Sequence, residues 1–94
     1  MAILFIQDVD GGNRWLYDQI SAAVGYHDEP PEGLICHTAG PVDGGWHNVD
    51  VWESVAALER FRDDRLDAVV RRLGGLPSEP RIQITEIYDL FIPA

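Results

Sequence analysis

The sequence has no lysine, a single cysteine and no long hydrophobic run. All seven basic residues are arginines against 16 acidic residues, and the net charge of −9 argues against nucleic acid or an anionic membrane as a partner. The lone Cys36 excludes an internal disulfide and any site built from several cysteines. No apolar run approaches the roughly 20 residues of a membrane span, and no signal-peptide pattern is present, so we expect a cytoplasmic protein.

The length and composition predict one domain that associates with copies of itself. A chain of 94 residues is typical of a single domain, residues 1–94, and buries about 60–70% of its unfolded surface. Hydrophobic residues make up 46% of the sequence and include three tryptophans, which is more apolar mass than a small monomer buries easily. We therefore expect a homo-oligomer.

The hydrophobic pattern predicts the element order β-α-β-β-α-β. The first helix is expected to begin at Asn13 or Asp10 and to end before Gly25, while Ser54 caps the second helix. The predicted elements are a strand at 2–7, a helix through 24, a hairpin at 33–53, a helix at 54–73 and a strand at 82–91. This order predicts an α+β, ferredoxin-like fold in which both helices cover one face of a four-stranded antiparallel sheet. A second copy would cover the other face through a two-fold interface.

The hairpin carries most of the polar groups that could perform chemistry. Side chains alternate across a strand, so four residues of its second half share one face: Trp46, Asn48, Asp50 and Trp52. A turn at Asp43-Gly44 sets His37 opposite Asp50, Ala39 opposite Asn48 and Ile35 opposite Trp52. A turn at Gly44-Gly45 would instead set His37 opposite Trp52.

His37 and Asp50 are the predicted catalytic pair. A carboxylate beside an imidazole fixes the tautomer of the ring and makes it a general base suited to neutral pH. The alternative is a buried hydrogen bond that only satisfies two polar groups. Asn48 could bind a developing oxyanion or bridge two strands, and Trp46 and Trp52 could hold an aromatic ring or simply belong to the core or a dimer interface.

Two further residues complete the predicted site. Tyr17 lies at the edge of the first helix's apolar stripe and could face the sheet or the solvent, and Glu86 is a second carboxylate, on the last strand. His47 is expected on the sheet face opposite His37. No spacing of histidines or carboxylates is typical of a metal site, and no glycine pattern is typical of a phosphate cradle, so we expect neither a metal nor another cofactor.

The stretch from Val49 to Phe61, VDVWESVAALERF, resembles the strand-to-helix signature of the antibiotic-biosynthesis-monooxygenase-like proteins within the dimeric α+β barrel superfamily. The segments 37–40 and 45–46 also resemble a subgroup of small, mostly uncharacterised actinobacterial proteins. The resemblance covers nearly the whole chain as architecture, but only about twenty residues as motif. It implies a homodimer, and it implies that Asn48 and Trp52 line a substrate cavity, because the anthrone-type oxygenases carry Asn and Trp four residues apart on the third strand.

The chain also departs from that superfamily. Its second helix has no histidine, the residue that serves as axial ligand in haem-degrading members, and no tyrosine. Leu58 and Arg62 occupy that region instead.

Three functions follow as hypotheses. The first is a cofactor-independent monooxygenase that acts on an aromatic or polyketide-like molecule by general-base enolisation. The second is a cyclase or isomerase that starts from the same enolate. The third is a dimeric ligand-binding or stress-associated protein without catalysis.

Overall fold

The four strands form one antiparallel sheet in the order β2-β3-β1-β4. The computed structural model describes residues 1–94. Its elements are β1 (Ile3–Asp10), α1 (Arg14–Val24), β2 (Leu34–Val42), β3 (Gly45–Trp52), α2 (Val55–Phe61), a π-helical segment (Arg62–Leu66), α3 (Asp67–Arg72) and β4 (Arg81–Glu86). This arrangement confirms the predicted ferredoxin-like α+β fold.

The helix ends follow the local sequence signals. The Asn13 side chain accepts a hydrogen bond from the Leu16 N–H at 2.9 Å, so Asn13 rather than Asp10 caps α1. Gly25 ends α1 in the left-handed region at φ 71°, which favours glycine. Ser54 Oγ accepts from the Ala57 N–H at 3.1 Å and begins α2.

A π-helical turn interrupts the second predicted helix. The Asp67 N–H bonds to the Arg62 carbonyl, five residues earlier, and so adds one residue to that turn. Phe61 and Leu66 are apolar residues five positions apart, a spacing that a regular α-helix would place on different faces. The wider turn lets both side chains line the same cavity.

Two predicted strand boundaries are wrong because strand length depends on the partner strand. β1 continues to Asp10 instead of ending at Gln7, since its ladder with β3 runs on through the pair Asp10 and Gly45. β4 ends at Glu86 instead of Phe91, since Glu86 pairs with Ile3, the first residue of β1. Beyond that pair one backbone hydrogen bond follows, from the Ile87 N–H to the Ala2 carbonyl at 3.0 Å.

The hairpin register is the predicted one except at its start. Val42 pairs with Gly45 around the Asp43-Gly44 turn, and His37 lies opposite Asp50. The predicted pairing of Ile35 with Trp52 is wrong. A β-bulge at Ile35 places Leu34 opposite Trp52, because the extra residue shifts the register between Leu34 and Cys36.

The core lies between the sheet and α2. Its fully packed residues are Ile3, Phe5, Trp52, Ala57 and Leu58. Gly33, at φ 89°, admits this packing, because a Cβ at this position would lie 2.5 Å from Ala57 Cβ. β4 and the segment after it remain open and expose apolar side chains: Ile82, Ile84, Tyr88, Leu90, Phe91 and Ile92. No helix has the length and hydrophobicity that crossing a bilayer requires.

Candidate active site

A cavity of about 200 Å³ lies between the sheet and the helices. β1 and β3 supply its floor, and α1, α2, the π-helical segment and α3 close it from the other side. Most of the lining is apolar and includes Phe5, Leu16, Ile20, Leu58, Phe61 and Leu66. A concave, mostly apolar space with a few polar groups is the usual form of a small-molecule site.

His37 and Asp50 meet on the cavity side of the hairpin. His37 Nδ1 lies 2.5 Å from Asp50 Oδ1, and the Trp52 indole N–H donates to Asp50 Oδ2 at 3.2 Å. Asp50 is buried, with 7% of its surface exposed. Because the carboxylate accepts at Nδ1, the proton of a neutral His37 resides there and Nε2 keeps its lone pair.

Tyr17 extends this pair into a longer hydrogen-bonded chain. Its hydroxyl oxygen lies 2.6 Å from His37 Nε2 and 2.7 Å from the hydroxyl oxygen of Tyr26. Tyr17 therefore faces the sheet, which decides the orientation that the sequence left open. With neutral His37, Tyr17 donates to Nε2 and accepts from Tyr26, so every donor of the chain points toward Asp50.

Tyr26 is a site residue that the sequence reasoning missed. It lies in the turn after α1, outside any predicted helix or strand, yet its ring stands edge-on to His37 at 5.0 Å between centroids. The available signal was Gly25, whose left-handed conformation turns the chain back at the end of α1. The residue that follows such a turn is directed toward the body of the protein.

Burial raises the pKa of the Tyr17 hydroxyl above its ordinary value of 10.0. The neighbouring Tyr26 phenol and the negative charge of Asp50 raise this pKa further, while the Ser21 hydroxyl nearby opposes them. The folded protein therefore keeps the Tyr17 phenol neutral and able to donate.

This pKa predicts how stability depends on pH. Above about pH 10 an unfolded chain loses the Tyr17 proton while the folded chain retains it, so the free energy of unfolding should fall as pH rises. The contribution of Tyr17 to the free energy of unfolding is fully present below about pH 10. Tyr17→Phe removes the titrating group and should flatten this fall, which urea unfolding at about pH 9 and about pH 11 would measure. An equally steep fall in the variant would contradict the assignment to Tyr17.

Trp46 and Asn48 leave polar atoms unpaired in the cavity wall. Trp46 Nε1 and Asn48 Oδ1 are buried and have no hydrogen-bond partner. Both residues line the cavity, and the Trp46 ring packs against Tyr17 at 5.1 Å between centroids. Unpaired buried polar atoms are costly, so a donor and an acceptor left open beside an apolar space are typical of ligand contacts.

The remaining predicted residues divide between the two sheet faces and the edge. Trp52 is 1% exposed and packs on Phe61, so it belongs to the core as well as to the cavity wall. Glu86 lies on exposed β4, apart from the cavity lining. His47 points to the opposite face, as predicted, where its Nδ1 lies 2.6 Å from Asp8 Oδ1. No three His, Cys, Asp or Glu side chains converge as metal ligands would.

Comparison with solved structures identifies the class of fold. A protein of unknown function from Nitrosomonas europaea matches with TM-score 0.74 at 16% identity, over 99% of this chain and 95% of that one. SnoaB, a cofactor-independent oxygenase from Streptomyces nogalater, matches with TM-score 0.66 at 15% identity, over 95% and 94% of the two chains. The ActVA-Orf6 monooxygenase from Streptomyces coelicolor, in complex with nanaomycin D, matches with TM-score 0.61 at 18% identity, over 99% and 92%.

These similarities establish the fold of this chain. The protein has the ferredoxin-like α+β fold of the antibiotic-biosynthesis-monooxygenase-like proteins, as the resemblance around Val49 to Phe61 implied. No known family profile matches the chain, and no curated protein sequence does. At such low identity the fold carries no chemistry by itself, so function has to be argued from the site.

Proposed function

We propose that this protein is a small homodimeric enzyme that enolises an aromatic or polyketide-like substrate without metal, flavin or haem, and that the enolate reacts with O2. One observation carries the proposal. A hydrogen-bonded chain of Asp50, His37 and Tyr17 ends in an apolar cavity, beside buried polar atoms of Trp46 and Asn48 that have no partner. The fold shared with a cofactor-independent oxygenase adds support.

The chemistry follows from the electron-rich anion. The His37–Asp50 pair accepts a proton from a methylene group activated by a neighbouring carbonyl or phenol, and the resulting anion adds to O2. The peroxide takes the proton back from His37. Loss of water then leaves a new carbonyl group in the product, and its oxygen is one of the two atoms of O2. Asn48 would hold the oxyanion by donating from its amide nitrogen, since its unpaired Oδ1 can only accept, with Trp46 and Trp52 against the ring.

Two other functions start from the same residues. A cyclase or isomerase would use the enolate without oxygen. A binding protein without turnover is favoured by a specific observation: both nitrogens of His37 already have protein partners, as a purely structural histidine would.

The homodimer rests on the open surfaces of the fold. The sheet face that bears Asp8 and His47 has no helix over it, and exposed apolar side chains are concentrated between Ile82 and Ile92. A second copy packed there would bury them. We place the protein in the cytoplasm on composition alone.

Replacing His37 with Ala tests the enzymatic proposal. Oxidation of 1,8-dihydroxy-9-anthrone, followed by oxygen uptake above the background rate, should fall by about 10²–10⁴-fold because the general base is lost. Sedimentation equilibrium and circular dichroism should still report a folded dimer of twice the 10.5 kDa chain mass.

His47→Ala is the matched control, because it breaks the other His–Asp pair of the same sheet outside the cavity. Its rate should stay within about twofold of the wild type. Turnover that survives His37→Ala would contradict a catalytic role for His37. Turnover that is unchanged in anaerobic buffer would exclude the oxygenase and favour the cyclase or isomerase.

A further inference from the structure

His37 has no free nitrogen to offer a substrate. Its Nδ1 is engaged by Asp50 at 2.5 Å and its Nε2 by the Tyr17 hydroxyl at 2.6 Å. A molecule in the cavity could reach Nε2 only after Tyr17 had moved away. The side chain of His37 is also only 20% exposed, so the ring has little other access.

Tyr17 covers His37 Nε2 within the cavity, which both residues line. Its ring lines the cavity and packs against Trp46. A phenol oxygen has two lone pairs, and the hydrogen bond from Tyr26 at 2.7 Å uses one of them. The second lone pair can accept a hydrogen bond from a bound molecule while the Tyr17 proton points at His37.

We propose that the Tyr17 oxygen is the atom that receives the substrate proton, and that His37 and Asp50 act through it. This proposal rests on the proposed function and names the group that contacts the substrate. Tyr17 is then a catalytic residue. Tyr26 is a positioning residue, because its hydroxyl holds the Tyr17 oxygen in place.

The transfer moves two protons in one direction. The bond between the substrate and its proton breaks as a new O–H bond forms on Tyr17, and the original Tyr17 O–H breaks as an N–H forms at His37 Nε2. The products are a substrate anion, a neutral Tyr17 and an imidazolium paired with Asp50. The arrangement parallels a Ser-His-Asp triad, with a phenol in the place of the serine hydroxyl.

The environment of Tyr17 supports transfer without a tyrosinate. Burial raises the pKa of Tyr17, and the Asp50 carboxylate raises it further, so a free phenolate at this position is disfavoured. In the two-proton transfer Tyr17 is never ionised. The positive charge appears on His37 instead, beside the carboxylate that stabilises it.

The size of the cavity selects the probe. An engineered apolar cavity of about 150 Å³ binds benzene, so a partly open cavity of about 200 Å³ has room for at least one substituted ring. We choose 4-nitrophenol, which turns yellow when it ionises. Its colour in the bound state reports proton transfer to the protein without any turnover.

The experiment is a pH titration of bound 4-nitrophenol at saturating protein. In the wild type the midpoint of the colour change should lie about one unit or more below that of the free probe, because the proton passes to His37. Tyr17→Phe and His37→Gln should each abolish this shift. Tyr88→Phe, at a fully exposed tyrosine, should keep it.

Three results would overturn the proposal. They are a wild type that fails to bind the probe, a wild type that binds it without the shift, and a Tyr17→Phe variant that retains the shift while His37→Gln loses it. In the last case His37 takes the proton directly. A shift that depends on Tyr17, in a protein that oxidises no anthrone, would leave the Tyr17 inference standing and refute the oxygenase.

Discussion

Replacing Asp50 with Ala should lower the free energy of unfolding by about 2–5 kcal/mol. The carboxylate is buried and accepts from two donors, His37 Nδ1 at 2.5 Å and Trp52 Nε1 at 3.2 Å. Alanine leaves both donors without a partner in a largely buried region, where the side chains of His37 and Asp50 are only 20% and 10% exposed. Urea unfolding followed by far-ultraviolet circular dichroism at a fixed protein concentration would measure the loss.

Asp8→Ala is the matched control for this prediction. Asp8 and His47 make the same kind of pair at 2.6 Å on the other face of the sheet, but their side chains are 26% and 39% exposed. In the single chain water can replace the lost partner there, so the expected cost is below about 1 kcal/mol when both variants are unfolded at a protein concentration that keeps the chain monomeric. Equal losses in the two variants would show that burial of Asp50 does not govern the energetics of its pair.

Leu58→Ala should cost about 2–5 kcal/mol, the second large effect. Leu58 is 2% exposed and packs from α2 onto a cluster that includes Ile3, Phe5 and Trp52. Truncation removes apolar contacts and leaves a void next to the cavity. Because small domains are stable by only about 5–15 kcal/mol, thermal and urea unfolding midpoints should both fall clearly.

Val55→Ala, on the same helix, is the control for Leu58. Val55 is 39% exposed, and alanine has the higher helix propensity, so the change in stability should stay within about 0.5 kcal/mol. If Leu58→Ala were as mild as Val55→Ala, the packing of α2 against the sheet would be looser than the structure indicates.

Several features of the fold and site could be predicted from the sequence because their causes are local. Asn13 and Ser54 cap helices through hydrogen bonds to residues three positions along the chain. The Asp43-Gly44 turn sets the hairpin register, and that register brings His37 and Asp50 together across 13 residues of chain. Alternation along β3 then places Trp46 and Asn48 on the same face.

Other features depended on contacts between distant segments. β4 ends at Glu86 because its ladder with β1 ends at Ile3, after which only the Ile87 N–H bonds to the Ala2 carbonyl, and no pattern within the strand shows this limit. The register shift at Ile35 also depends on a partner strand, since a β-bulge is defined only by how one strand pairs with another.

The hydrogen-bonded chain of Asp50, His37 and Tyr17 also has one part that the sequence predicts and one part that only the tertiary structure decides. The sequence predicts His37 beside Asp50 for a turn at Asp43-Gly44, the turn that the structure has, because strand alternation and a two-residue turn have nearly invariant geometry. It could not place Tyr17 and Tyr26, because a helix can rotate about its axis and a loop can take many paths until packing against the sheet selects one. The packing of α1 on the sheet brings the Tyr17 hydroxyl to His37 Nε2. The pair of His37 and Asp50 thereby becomes part of a hydrogen-bonded chain beside the cavity.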